Sequence, residues 1–103
     1  MKTYEAVFVL DERKFDDQGE AFSQEIVKRI QDLGGRLRDR VAMGRKQFAR
    51  PVRKLNAGVY WDFVFDLAAN QVEPFKEVYR LNDAVLRSEV FLFDAPEVPE
   101  VQA

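Results

Sequence analysis

The chain has 103 residues and a net charge of −2, is 47% apolar, and contains neither cysteine nor histidine. This length suits one domain, and the apolar side chains suffice for a core without covalent cross-links. The missing residue types exclude a disulfide framework, a thiolate nucleophile and metal sites built on cysteine or histidine. Nothing near Ser23, Ser88 or Thr3 is patterned to activate a hydroxyl. We therefore predict no catalytic residues, no enzyme activity, no metal and no cofactor.

The amino terminus enters a strand-like pattern at once, without a long apolar segment or a small-residue cleavage site, so it does not resemble a signal peptide. No stretch approaches the roughly 20 apolar residues of a membrane span. We expect a soluble, cytoplasmic protein with no membrane partner and no small-molecule substrate.

The first predicted element is a β-rich, alternating strand at residues 4–10. Asp17 and Glu20 then resemble a capping box at the start of a helix. A stripe of apolar residues at helical spacing carries this helix to a glycine pair at residues 34–35. The stripe consists of Phe22, Ile26, Ile30 and Leu33.

Residues 36–41 alternate imperfectly and are interpreted as the start of the second strand. Further along this strand, Gly44 is expected to mark a bulge or a twist. Residues 46–57 are expected to form the end of this strand and a long hairpin connection. Pro51 is excluded from any central position in the ladder, because it cannot donate a backbone hydrogen bond. The clearest strand follows at residues 58–67.

Residues 70–73 give a second capping signal, and Pro74 is placed in or just before the first turn of a short helix. Its apolar stripe is Val72, Phe75 and Tyr79. A last strand is predicted at residues 85–93. The remainder, residues 95–103, has no period and two prolines and is expected to be a loose tail behind a domain at residues 1–94.

The order β-α-β-β-α-β predicts an α+β, ferredoxin-like fold, with a four-stranded antiparallel sheet and two helices on one face. On the other face, termed the open face, we expect apolar side chains mixed with Glu5, Asp62, Arg87 and Glu89. The predicted apolar residues of a protein-partner face are Val7, Val9, Tyr60, Val64, Phe91 and Phe93. This much uncovered apolar area favours a partner; the alternative is scattered surface apolar residues, which are common.

Residues 36–54 concentrate positive charge, with eight cations against one acid, Asp39. The predicted RNA-binding residues are Arg36, Arg38, Arg40, Arg45, Lys46, Arg50, Arg53 and Lys54. Arginine suits forked contacts with phosphate, and such asymmetry favours a polyanionic partner. The alternative is a charged strand that solvates a sheet edge and discourages pairing between sheets.

RNA-recognition domains share this order of elements and stack bases on aromatic residues of the third strand. Here Trp61, Phe63 and Phe65 fall on the expected core face. The open face offers Tyr60, followed by Asp62, whose charge would repel phosphate. Base stacking on the middle of the sheet is therefore not expected.

Residues 44–54 resemble a sequence motif of a known protein family, and this is the most specific motif in the chain. Phe48 stands where the family motif has leucine, and Arg50 stands where it has tyrosine. The matching residues are Gly44, Lys46, Gln47, Ala49, Pro51, Val52 and Lys54. The Tyr4-Glu5 start, Gly34, the Gly58 and Tyr60 pair, and residues 81–87 are also similar. Over residues 1–94 the chain resembles the bacterial small-subunit ribosomal protein S6 family.

This resemblance implies a structural protein of the ribosome that needs no cofactor and binds the central domain of small-subunit ribosomal RNA together with ribosomal protein S18. It places Gly44, Lys46, Pro51 and Lys54 in an RNA-proximal loop, and it implies that the apolar sheet surface helps to hold the protein partner. Phe48 is expected to anchor the loop on the core. The alternative is a free-standing ferredoxin-like protein that self-associates or binds a ligand through the open face.

Overall fold

The computed structural model describes residues 1–93. The predicted tail at residues 95–103 lies outside this range. The helices and strands are β1 (Lys2–Leu10), α1 (Glu20–Asp32), β2 (Arg36–Val52), β3 (Leu55–Leu67), α2 (Val72–Arg80) and β4 (Val85–Leu92). Short 3₁₀ turns precede each helix. The predicted order of elements is confirmed.

All strand pairs are antiparallel, and the sheet has the order β2-β3-β1-β4. This arrangement confirms the ferredoxin-like fold. It makes β2 and β4 the edge strands, and both helices pack on one face of the sheet.

The core lies between that sheet face and the helices. Phe63 and Phe65 of β3 are fully buried, and so are Ile26 of α1 and Phe75 of α2. Phe8 of β1 meets the rings of neighbouring aromatic residues edge-on, with a centroid distance of 5.6 Å to Phe63. Such edge-to-face contacts add to the stabilisation by apolar burial. The alternating pattern of β3 therefore selects which sheet face the helices cover.

The helix starts differ from the predicted capping signals. The Asp17 carboxylate accepts hydrogen bonds from the backbone N–H groups of Gly19 and Ala21, each at 2.9 Å. The Glu20 side chain does not reach back and instead meets Arg40 at 3.3 Å, so the reciprocal box is wrong. At α2 no side chain caps the helix, so the second capping signal is wrong too, whereas Pro74 does lie in the first turn.

The β2–β3 hairpin is the main difference from the predicted elements. β2 continues to Val52 and β3 already begins at Leu55, so the long connection is wrong. Arg53 and Lys54 alone form the turn, with φ values of 52° and 67°. Two consecutive left-handed residues are the geometry of a tight hairpin turn that usually carries Asn-Gly. Sequence reasoning missed the turn because this pair of residues gives no turn signal.

The register between β2 and β3 shifts at three places, of which the first lies between Leu37 and Asp39. The register shifts between Ala42 and Gly44, and the φ of 84° at Gly44 confirms the predicted bulge. The ladder also passes from the Gln47–Ala57 pair directly to the Val52–Leu55 pair. Residues 48–51 therefore have no regular partner, which confirms that Pro51 stands outside any central ladder position.

The outer part of the hairpin extends beyond the rest of the sheet. Pairing between β1 and β3 ends at Leu10 and Val59. Residues 55–58 therefore pair only with β2, and at ~3.4 Å per residue they reach roughly 13 Å past the end of β1. We call residues 46–58 the arm.

Replacing the turn residues by Arg53→Asn with Lys54→Gly should raise the melting temperature by several degrees. Left-handed backbone costs about 1 kcal/mol or more for a residue with a long side chain, and Asn-Gly relieves it. About 1 kcal/mol corresponds to ~4–8 °C in a domain of this size. Thermal unfolding followed by circular dichroism measures the shift. A lower melting temperature would contradict the assigned turn geometry.

Candidate nucleic-acid interface

The eight predicted RNA-binding cations fall into two groups of four. The first group forms ion pairs within the described residues. These pairs are Arg36 with Asp66 at 3.5 Å, Arg38 with Asp66 at 2.8 Å, Arg40 with Glu20 at 3.3 Å, and Arg45 with Glu12 at 2.6 Å. In this group much of the positive charge is already compensated by a carboxylate of the same molecule.

Asp66 of β3 forms ion pairs with both Arg36 and Arg38 at the start of β2. Its carboxylate also accepts a hydrogen bond from the Thr3 hydroxyl at 2.6 Å. The hydrogen bond from Arg38, followed by that from Thr3, lowers the pKa of Asp66. The carboxylate therefore joins three strands, since Thr3 lies on β1 and Arg36 and Arg38 lie on β2.

Arg40 lies on the side of the sheet that the helices cover. Its register partner is the buried Phe63. Its guanidinium donates a hydrogen bond to the Ser23 hydroxyl of α1 at 2.9 Å and lies 5.6 Å from the centre of the Trp61 ring. These contacts give Arg40 a structural role between β2 and α1.

Arg45 lies at the base of the arm and bonds Glu12, in the turn after β1, across 33 positions in sequence. This hydrogen bond raises the pKa of Arg45. The pair therefore ties the base of the arm to the body of the domain.

The second group consists of Lys46, Arg50, Arg53 and Lys54, all on the arm. Within residues 1–93, none of the four has a carboxylate at ion-pair distance. The sequence has no acid between Asp39 and Asp62, so β2 and β3 offer none near the arm. All four side chains belong to exposed residues. The arm therefore presents uncompensated positive charge on a slightly acidic chain.

Phe48 lies on the open face, where its ring is 6.3 Å from that of Tyr60. The expectation that it anchors the arm on the core is wrong. Gly58 makes this position possible, because a Cβ there would lie 2.9 Å from Cζ of Phe48 and 2.8 Å from Cγ1 of Val9. Sequence reasoning missed the contact, although a glycine opposite a large aromatic residue is a usable signal.

The open face has the predicted orientation. The strand registers place the predicted apolar residues of β1, β3 and β4 opposite the helices, and those residues are Val7, Val9, Tyr60, Val64 and Phe91. Phe93 follows β4, and its backbone N–H bonds the carbonyl of Thr3 at 2.9 Å. Phe91 is 48% exposed, whereas Val9 is almost fully buried.

The carboxylates of Glu5, Asp39 and Asp62 lie in the middle of this face. Burial, followed by a hydrogen bond with Glu5 and repulsion from Glu5 and Asp39, raises the pKa of Asp62 to about 6. Oδ1 of Asp62 is buried without a hydrogen-bond partner among the described residues. This part of the face would repel phosphate. No cluster of three or more acidic residues within residues 1–93 has the arrangement of a metal site.

Comparison with known proteins identifies the family. The family model described as Ribosomal protein S6 matches residues 3–91. The chain belongs to the ribosomal protein S6 family. The small ribosomal subunit protein bS6 of Nitratiruptor sp. is 29% identical over 87 residues, covering 84% of this chain and 68% of the relative. The bS6 protein of Microcystis aeruginosa is 41% identical over 44 residues, covering 43% of this chain and 34% of the relative.

Solved structures show the same fold. The crystal structure of 30S ribosomal protein S6 from Thermotoga maritima has a TM-score of 0.84 at 22% identity, covering 89% of this chain and 87% of that one. The extracellular region of zebrafish Gpr126/Adgrg6 has a TM-score of 0.57 at 13% identity and is covered to 14%. Proteins of the S6 family are structural components of the small ribosomal subunit, which takes part in translation. Within residues 1–93 of this S6 family member, neither helix is long and apolar enough to cross a bilayer.

Arg40→Ala in this S6 family member should lower the free energy of unfolding by about 1–2 kcal/mol. The change removes a charged hydrogen bond to buried Ser23 and a cation–π contact with Trp61. Arg36→Ala is the matched control, because its side chain is 71% exposed and its ion pair contributes little. Denaturant unfolding measures both. Equal effects of the two changes would contradict the structural role of Arg40.

Asp62→Asn should stabilise the protein at pH 7 but not near pH 4. The folded state retains the Asp62 proton up to about pH 6, whereas the unfolded chain releases it near 3.8. The Asp62 contribution to stability therefore falls as pH rises through this window. With allowance for partial exposure, we expect a gain of about 1 kcal/mol at pH 7.

Melting temperatures across pH 4–7 measure this difference between the wild type and the variant. Asp66→Asn is the control, and it should destabilise the protein by a similar amount across this whole range. The pKa of Asp66 is lowered from 3.8, so its contribution is present throughout pH 4–7 and is lost only at lower pH. A constant difference between Asp62→Asn and the wild type at all pH values would contradict the titration of Asp62.

Proposed function

We propose that this S6 family member binds small-subunit ribosomal RNA through its arm, in partnership with ribosomal protein S18, and so supports assembly of the subunit and translation. The observation that supports this most is the arm itself, which projects beyond the sheet and carries Lys46, Arg50, Arg53 and Lys54 without a compensating acid. We propose these four side chains as the phosphate contacts.

The geometry of the arm suits phosphate binding. Guanidinium groups donate two parallel hydrogen bonds to phosphate oxygens, and contacts of this kind set position and affinity more than sequence preference. The turn places Arg53 and Lys54 at the tip, while Arg50 lies beside the stiff Pro51. Because the tight turn fixes this part of the backbone, docking would order little additional chain.

The body of the open face suits the protein partner. Exposed Phe91 and the neighbouring apolar residues provide area for contact. Glu5, Asp39 and Asp62 disfavour RNA there and favour a partner with cationic side chains. RNA and protein would then bind at different ends of one surface. Membership of the family favours this ribosomal function over the free-standing alternative.

Arg50→Ala with Arg53→Ala should reduce the salt dependence of RNA binding and leave folding nearly intact. Each phosphate contact that is lost lowers the slope of log K against log salt concentration by roughly 0.7–0.9, so we expect a decrease of about 1.5. A salt titration with a central-domain fragment of small-subunit ribosomal RNA, with and without S18, measures the slope.

The matched control is Lys28→Ala with Arg80→Ala. It removes the same charge from exposed ion pairs on the two helices. We expect the control to keep the wild-type slope. Equal slopes for the two double variants would rule out a local contact at the arm. A wild-type affinity that does not change with salt would rule out phosphate binding altogether.

A further inference from the structure

A groove of about 380 Å³ lies where the arm meets the open face. Phe48, Arg50 and Pro51 of the arm contribute to its wall, together with Tyr60 of β3 and Arg87 of β4. Among the described residues, no carboxylate lines it. Its volume lies in the range of small-molecule sites and is sufficient for one nucleotide.

The groove contains two aromatic rings held in place. The rings of Phe48 and Tyr60 are inclined at 58° and are not stacked on each other. Phe48 rests on Gly58, and Tyr60 is half-buried with the Lys46 ammonium 5.6 Å from its ring centre. Fixed aromatic side chains beside cations are the usual platform for an unpaired base.

Two guanidinium groups reach this groove from different strands. Arg87 directs Nε and Nη2 to a single oxygen of Glu89, at 3.1 and 2.8 Å, which leaves Nη1 available for another acceptor. Arg50 is exposed and has no carboxylate partner in residues 1–93. A phosphate near both arginines would receive charge-assisted hydrogen bonds.

The neighbouring depression on the open face is a poorer site for a nucleotide. It measures about 180 Å³ and is lined by Val7, Val9 and Glu89 and by no residue of the arm. Tyr60 and Arg87 line both this depression and the larger groove. Asp62 lies two positions from Tyr60 on the same face and does not line the larger groove. No carboxylate of the described residues lines the larger groove, so phosphate is disfavoured less there than at the middle of the sheet.

We propose that the groove receives one unpaired nucleotide of the bound RNA, with its base against Tyr60 and Phe48 and its phosphate near Arg50 and Arg87. This site depends on the RNA binding proposed above. It adds a preference for an extruded nucleotide to the binding of phosphates along the arm.

Fluorescence anisotropy with two probes tests the preference, using a short RNA duplex and the same duplex with one unpaired adenosine. The wild type should bind the second probe about tenfold more tightly, as expected for one stacked base. Tyr60→Leu should abolish this ratio and keep the affinity for the fully paired duplex. Tyr60→Phe should retain the ratio, because the ring remains.

Arg87→Ala provides a second variant outside the arm and should reduce the ratio without altering the fully paired complex. Equal wild-type affinity for both probes, with a steep salt dependence, would overturn the nucleotide site and leave the proposed function standing. Binding of neither probe, nor of the ribosomal RNA fragment, would overturn both. A Tyr60→Leu variant that keeps the ratio but loses S18 would assign Tyr60 to the protein contact instead.

Discussion

Burial of one face of β3 beneath the two helices is the constraint on which the remaining structure depends. Phe63 and Phe65 are inaccessible to solvent, and strand geometry then directs Tyr60, Asp62 and Val64 to the opposite face. Within the arm Ala57 is buried, but the cationic side chains are exposed. Charged residues are tolerated there because they remain hydrated.

The distribution of acids decides what each cation does. Glu12, Glu20 and Asp66 lie within reach of the first half of β2 and its bulge, and they hold its arginines against the domain. No acid occurs between Asp39 and Asp62, which leaves the outer half uncompensated. The protein is acidic overall but presents a basic surface at the arm. An RNA that approached another side would meet acidic side chains, and their repulsion disfavours incorrect docking.

Periodicity was sufficient to predict the order of the elements, the covered face of β3 and the composition of the open face, because alternation and helical spacing are local signals. It could not predict the Arg53–Lys54 turn, whose residues disfavour that backbone and are held there by the flanking strands. Nor could it separate Arg40 from Arg50, because ion pairing depends on which distant carboxylate the fold brings near. The groove formed by Phe48, Gly58 and Tyr60 was missed for the same reason.

The extension of the arm past β1 has a consequence for motion. Residues 55–58 bond to one neighbouring strand only, and residues 48–51 lack a regular ladder partner. Amide protons in this region should exchange with solvent earlier than those at the centre of the sheet, since only one neighbouring strand opposes a local opening. Local opening of the hairpin end would leave the helices and the central strands folded, so a bound partner that holds this end closed should slow exchange there without altering exchange in the centre.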